Sequence, residues 1–168
     1  MKRVCLVIDA NVVVDLAREI GGQSTGQRTW LEAMCSSLNN PVRIDGEAVV
    51  MYPVMSEHIV RMAGQSLHRY FPEAEAKRTH KLAVQAILKK GGLYDPTQED
   101  YKTLARQCWA HYGTDTEDEA VVACAVRNRA AVLTNDRDLG GYLDDRHIAN
   151  WSTSELASAV TCAVANSM

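Results

Sequence analysis

Asp9 closes the apolar run "RVCLVID", and Asp136 follows the apolar "AAVLT" with only Asn135 between. Glu57, in "MSEHIV", and Asp118, in the acidic run "TDTEDE", stand at the edges of further apolar stretches. Carboxylates at the edge of a core repel one another and lose hydration, so their grouping needs a compensator. Protonation is one compensator and a divalent cation is another. An all-oxygen set of carboxylates suits magnesium or manganese rather than zinc. No His-x-x-x-His pair and no cysteine cluster competes. An ion held there can lower the pKa of a bound water and stabilise an in-line phosphoryl displacement. Each acid also has a plainer reading. Asp9 and Asp136 can be turn residues, Glu57 can face solvent, and the acidic run can simply open a helix.

The elements that must position these acids alternate in type. "RVCLVID" at 3–9 is a near-continuous apolar run, the pattern of a strand covered on both faces. "NVVVDLAREI" reads as a turn and short helix, and "GGQSTGQ" at 21–27 as a loop. "RTWLEAMCSSL" at 28–38 places Trp30, Met34 and Leu38 at helical spacing, with Pro41 as a stop. "EAVVMY" at 47–52 is the second strand, and Pro53 stands where the next helix can begin, with Glu57 about one turn in. Residues 73–90 read as a helix with Leu82 and Ala86 among its apolar positions, ended by Gly91-Gly92, and 97–112 as another. The acidic run opens a helix with the apolar body "AVVACAVRN". "AAVLT" at 130–134 and "HIANW" at 147–151 are strands, with "RDLGGYLDD" a short turn or helix between them. Ser152 and Glu155 form a Ser-x-x-Glu capping box before the last helix. The alternation predicts an α/β fold, a three-layer α/β/α sandwich around a mainly parallel sheet. Ligands of such sheets bind beyond the carboxyl ends of the strands, which puts Asp9 and Asp136 on one edge.

The 168 residues suit a single domain over 1–168. The chain is 46% hydrophobic and 23% charged, ordinary for a globular protein, and a net charge of −3 does not advertise a nucleic-acid binder. The longest apolar runs, such as "VCLVI" and "AVVMY", are too short to span a bilayer, so no membrane is expected. The Lys-Arg start mimics a signal peptide, but Asp9 and Asn11 interrupt its apolar run, and cytoplasm is the expected location. The five cysteines are widely spaced with no Cys-x-x-Cys, so reduced thiols are expected. Charge is uneven along the chain. Segment 61–90 carries seven basic residues against two acidic ones, a net of +5, with His68, Tyr70, Phe71 and His80 interleaved. Lys77, Arg78 and Lys81 are the candidate phosphate-backbone contacts, and a solvated helix face is the alternative.

Two stretches together resemble the PIN-domain ribonucleases, of the VapC-like toxin type. "VIDANVVVDL" resembles the family's opening, a strand followed by Asp-x-Asn and an apolar stretch. "DEAVVACAVRNRAAVLTNDRDL" at 118–139 resembles its second signature: an Asp opening an Ala-rich helix, then a strand, then Thr-Asn-Asp with a nearby acid. The resemblance implies a PIN-like fold, magnesium or manganese, hydrolysis of RNA phosphodiester bonds, and for many members a partner antitoxin and a homodimer. Asp9 becomes the first acid, Asp118 the third and Asp136 the fourth. Glu57 is the candidate second acid on a looser match, and Asp115 or Glu119 stand as alternatives for the third. Asn11 and Thr134 match polar positions that support the metal site, and Asp138 is the nearby acid. The stretch 61–112 matches nothing specific, and its role is open. The apolar "LASAVTCAVA" of the last helix is a candidate dimer face.

Three other functions compete. A haloacid-dehalogenase-type phosphatase shares the strand-then-Asp opening but expects Asp-x-Asp, where this chain has Asp9-Ala10-Asn11. A non-catalytic RNA-binding or scaffold module on the same fold would not need all four acids. A structure-specific DNA nuclease would use the same metal chemistry.

Overall fold

The computed structural model describes residues 1–89, 92–93 and 118–165. The expected helix over 97–112, Asp115 and Gly91 lie outside them. The described elements, in chain order, are β1 (Lys2–Ile8), α1 (Ala10–Ile20), α2 (Arg28–Ser37), β2 (Pro41–Ile44), β3 (Glu47–Met55), α3 (Glu57–Leu67), α4 (Glu73–Ile87), β4 (Gly92–Leu93), α5 (Asp118–Asn128), β5 (Ala131–Leu133), α6 (Arg137–Asp145), β6 (Asn150–Trp151) and α7 (Thr153–Ala165). The sheet runs in the order β2-β3-β1-β5-β6, with β4 also on β3. Every pairing is parallel except β2 on β3. Helices α1, α3 and α4 pack together as one layer, and α2 with α7 as the other. This is the expected three-layer α/β/α sandwich.

The apolar runs become central strands for the expected reason. Leu6, Val7 and Ile8 are consecutive and all fully buried, which requires cover on both faces of β1. The same holds for Val132 and Leu133 on β5. Leu6→Ala would cost about 2–5 kcal/mol through lost burial and the cavity left behind. Chain order steps from β1 to β3 on one side and later to β5 on the other. The reversal lies beside β1, and the carboxyl ends of β1 and β5 open a crevice there.

Two departures from the sequence reading bear on the site. The first is the hairpin of β2 and β3, which pairs Ile44 with Glu47. Its turn residues Asp45 and Gly46 have φ of 51° and 81°, the positive pair that an Asp-Gly hairpin turn demands. The second is Pro53, which does not start a helix. It sits within β3 opposite Leu6, between the stretches of β3 that pair with β2 and with β4. A missing N–H is tolerated at such an open stretch of edge. β3 therefore runs on to Met55, and Ser56 caps α3 by accepting from the Ile59 N–H at 3.1 Å.

Smaller differences follow from packing. Leu31, Met34 and Leu38 make the buried face of α2, while Trp30 stays 41% exposed. On α4 the buried positions are Ala76, Thr79, Ala83 and Ile87, and Leu82 is exposed. Gly21 ends α1 beside Phe71, whose ring would lie 2.5 Å from any Cβ placed there. The capping box forms as read: Glu155 accepts from the Ser152 N–H at 2.9 Å, and the Ser152 hydroxyl accepts from the Glu155 N–H at 3.1 Å. Leu156 is fully buried, so the first turn of α7 belongs to the core. Among the described residues no helix is long and apolar enough to cross a membrane.

Candidate functional site

Asp9 is the last residue before α1 and its N-cap, with extended backbone. β1 delivers it, and its N–H extends the sheet by donating to the Leu133 carbonyl at 3.0 Å. Its carboxylate is buried, at 5% exposure, and donors from β5's end and from α1 hold it. The Ala10 N–H reaches Oδ1 at 2.7 Å, and the Thr134 hydroxyl reaches Oδ2 at 2.7 Å. Thr134 also accepts from the Asp136 N–H at 3.1 Å. One buried hydroxyl thus ties the ends of two adjacent parallel strands and sets the separation of Asp9 and Asp136. A buried carboxylate is tolerated only with such donors.

Asp136 caps α6. Its Oδ1 accepts from the N–H groups of Asp138 at 2.9 Å and Leu139 at 3.3 Å. The turn reading of Asp136 is met by Oδ1, which leaves Oδ2 without a hydrogen bond among the described residues. Asp118 is the first residue of α5, where the positive end of the helix favours an acid.

These residues meet in one cleft of about 290 Å³, lined by Asp9, Asn11, Asp15, Asp118 and Asp136 among others. Asn11 lies in the first turn of α1, and its Oδ1 is buried without a hydrogen-bond partner among the described residues. A buried oxygen without a described partner, on a residue lining a cleft with carboxylates, suits a cation, which accepts oxygen ligands of both kinds. The donor chemistry of the cleft therefore fits magnesium or manganese. As the side chains stand, no three His, Cys, Asp or Glu groups among the described residues draw close enough together to hold an ion.

Several sequence-derived positions lie elsewhere. Glu57 is the first residue of α3, rather than one turn in, because β3 runs past Pro53 to Met55. Its side chain is 61% exposed, pairs with Arg61 at 3.7 Å, and is not part of the cleft lining. Glu119 is buried but does not line the cleft, so Asp118 is the described alternative that reaches it. Asp138 is exposed on the first turn of α6 and lines no cleft. Lys77 pairs with Glu73 at 2.8 Å, and Arg78 pairs with Glu75 through Nε at 3.0 Å. Two of the three Lys and Arg residues of α4 are thus paired with acids on their own helix. Lys81 is exposed and is not part of the cleft lining.

The structure adds residues that the motif reading passed over. Asp15 lines the cleft, and burial raises its pKa above the ordinary carboxylate value, more than Arg18 lowers it. Asn11, Asp15 and Arg18 are spaced i, i+4, i+7 along α1, a polar stripe on a helix whose Val12, Val13, Val14, Leu16 and Ala17 are buried. That stripe was legible in "NVVVDLAR". Arg69 and Tyr70 also line the cleft. The Arg18 guanidinium stacks over the Tyr70 ring at 4.1 Å, and Gln23 donates to the Tyr70 carbonyl at 2.8 Å. Arg69 makes no ion pair among the described residues.

No family model and no curated protein sequence matches the chain. Solved structures do. The structure of PAE2754 from Pyrobaculum aerophilum superposes with a TM-score of 0.58 at 15% identity, covering 95% of this chain and 98% of that one. VapBC-1 from nontypeable Haemophilus influenzae gives 0.58 at 13% identity, over 89% of this chain and 98% of that one. FitAcB from Neisseria gonorrhoeae gives 0.55 at 15% identity, over 89% and 98%. At such identities the likeness speaks for the fold alone, and this chain shares the α/β/α fold of those structures.

Proposed function

We propose that the protein is a magnesium- or manganese-dependent ribonuclease that hydrolyses RNA phosphodiester bonds, acting in the cytoplasm as the toxin of a toxin–antitoxin pair. The observation that carries this reading is the cleft lined by Asp9, Asp118, Asp136 and Asn11, whose Oδ1 has no hydrogen-bond partner among the described residues. Solved neighbours of the same fold include VapBC-1, FitAcB and a FitAB complex bound to a DNA fragment, which supports an antitoxin partner. A homodimer remains part of the proposal.

Asp9, Asp118 and Asp136 would hold the ion, with Asn11 as a neutral oxygen ligand. The ion would supply a water of lowered pKa and charge neutralisation at the phosphate. The chain's own residues do the positioning. Thr134 orients Asp9 by its hydrogen bond and fixes the start of the Asp136 turn. The helix cap spends one oxygen of Asp136 and leaves the other for the cleft. Arg69 offers a cation to a phosphate in the cleft, and the Tyr70 ring, pinned by Arg18, offers a stacking face. Glu57 has no part in this assignment.

The test is a divalent-ion titration of thermal stability beside an RNA cleavage assay. An ion that binds only the folded cleft raises the melting midpoint by mass action. The shift should vanish in the double variant Asp9→Asn, Asp136→Asn. An identical shift in that variant would remove the site. RNA binding without ion binding or cleavage would favour the non-catalytic module, and cleavage of DNA alone would favour the DNA nuclease.

A further inference from the structure

A second cleft, of about 540 Å³, adjoins the acidic one and shares Asp136 with it. Its volume lies within the ~300–1,000 Å³ of small-molecule sites. Four features fit a nucleotide. Trp30 lines it and is 41% exposed, although Leu31 beside it in sequence is buried. A large aromatic face open beside a polar cleft is a stacking platform for a base. Gly140 and Gly141 also line it, and a Cβ at Gly141 would meet nothing within 4 Å, so space stands open above the backbone. Arg137 lines the cleft and makes no ion pair among the described residues. Two of the carboxylates there are already engaged: Asp144 accepts from the Asn150 amide at 2.7 Å, and Glu155 from the Ser152 N–H at 2.9 Å.

A net of hydrogen bonds lines the second cleft. Asn135 donates to Gln27 at 3.0 Å and accepts from the Thr153 N–H at 3.0 Å, and the Thr153 hydroxyl reaches Gln27 at 3.1 Å. This net joins the end of β5, the start of α7 and the residue before α2. It holds Trp30's helix at a set distance from Asp136. A strand whose phosphate lies at Asp136 must continue somewhere, and the adjoining cleft offers space, an aromatic face and a cation.

We infer that this second cleft binds a nucleotide of the substrate strand flanking the cleaved phosphate, with its base stacked on Trp30 and its phosphate near Arg137. The inference rests on the nuclease reading and extends it to a subsite. A short fluorescent single-stranded RNA, measured by anisotropy in EDTA, reads binding without cleavage. Trp30→Ala should weaken binding about tenfold, and Trp30→Phe, which keeps a ring, should stay within about threefold. Gly141→Leu, which fills the open space, should weaken binding comparably to Trp30→Ala, with circular dichroism confirming the fold. In cleavage with metal restored, the Trp30→Ala loss should appear in KM rather than kcat. Wild-type affinity in both Trp30→Ala and Gly141→Leu overturns the subsite while leaving the nuclease reading intact. Equal losses in Trp30→Ala and Trp30→Phe overturn the stacking role. Wild-type protein that neither binds nor cleaves RNA overturns the nuclease reading and the subsite with it.

Discussion

Replacing Thr134 by Val removes one hydroxyl and nearly nothing else. Thr134 is 4% exposed, so water cannot readily take the place of what is lost. The hydroxyl donates to buried Asp9 at 2.7 Å and accepts from the Asp136 N–H at 3.1 Å. A hydrogen bond to a charged group contributes ~1.5–3 kcal/mol and a neutral one ~0.5–1.5 kcal/mol. Their sum is offset in part by the more apolar Val methyl, leaving a loss of about 2–3 kcal/mol. For a domain of this size, about 2–4 °C of melting temperature goes with each kcal/mol, so the midpoint should fall by roughly 5–10 °C. Thr134→Ser keeps the hydroxyl and loses a methyl, and should cost about 1 kcal/mol. Urea unfolding of the three proteins at neutral pH measures the difference. A Thr134→Val protein as stable as wild type, or less perturbed than Thr134→Ser, would refute the claim that this hydroxyl holds the two strand ends together.

Other consequences are open to direct measurement. Burial holds the Asp15 carboxyl above its ordinary value of 3.8, so the folded protein binds that proton more tightly than the unfolded chain. The group therefore destabilises above its folded pKa, and stability from it recovers as pH falls through that value. Asp15→Asn should raise the melting point at neutral pH, with the gain fading in acid. Burial pushes the Cys124 thiol up to about 12, so iodoacetamide at pH 8 should leave it unlabelled in the native protein and label it after denaturation. Arg69 lines the cleft and makes no ion pair among the described residues, whereas Lys77 and Arg78 are paired with Glu73 and Glu75. Arg69→Ala should reduce the salt slope of RNA binding by about one, and Lys77→Ala should change it less.

The sheet and its carboxyl edge were legible in the sequence because they rest on local pattern. A run such as "RVCLVI" needs cover on both faces whatever surrounds it, and Asp9 must then fall at its end. Asp136 was legible as a strand-end acid and as a turn residue, and the structure makes that turn the cap of α6. Glu57 was not, because its position turned on where β3 stops. Pro53 carries two opposite local meanings, a helix start or a strand with an open edge, and only the strands beside β3 decide between them. The same holds for charge. A net of +5 over 61–90 is a count along the chain, and it does not show that Lys77 and Arg78 meet acids one turn away while Arg69 reaches the cleft. Trp30 fitted the apolar spacing of α2 but lies just off its buried stripe, a difference of one helical position that periodicity does not resolve.

The central claim is that the acids at the ends of β1 and β5, with Asp118, form a metal-dependent centre for RNA hydrolysis. The direct measurement is cleavage of single-stranded RNA by purified wild-type and Asp136→Asn proteins, with and without magnesium or manganese, each confirmed folded by circular dichroism. Asn keeps the size of the side chain and its helix cap while removing the charge. The account predicts metal-dependent cleavage by wild type and a loss of about a hundredfold or more in the folded variant, since the missing carboxylate positions the ion and its water. Full cleavage by folded Asp136→Asn, or cleavage unaffected by chelating the metal, would contradict it.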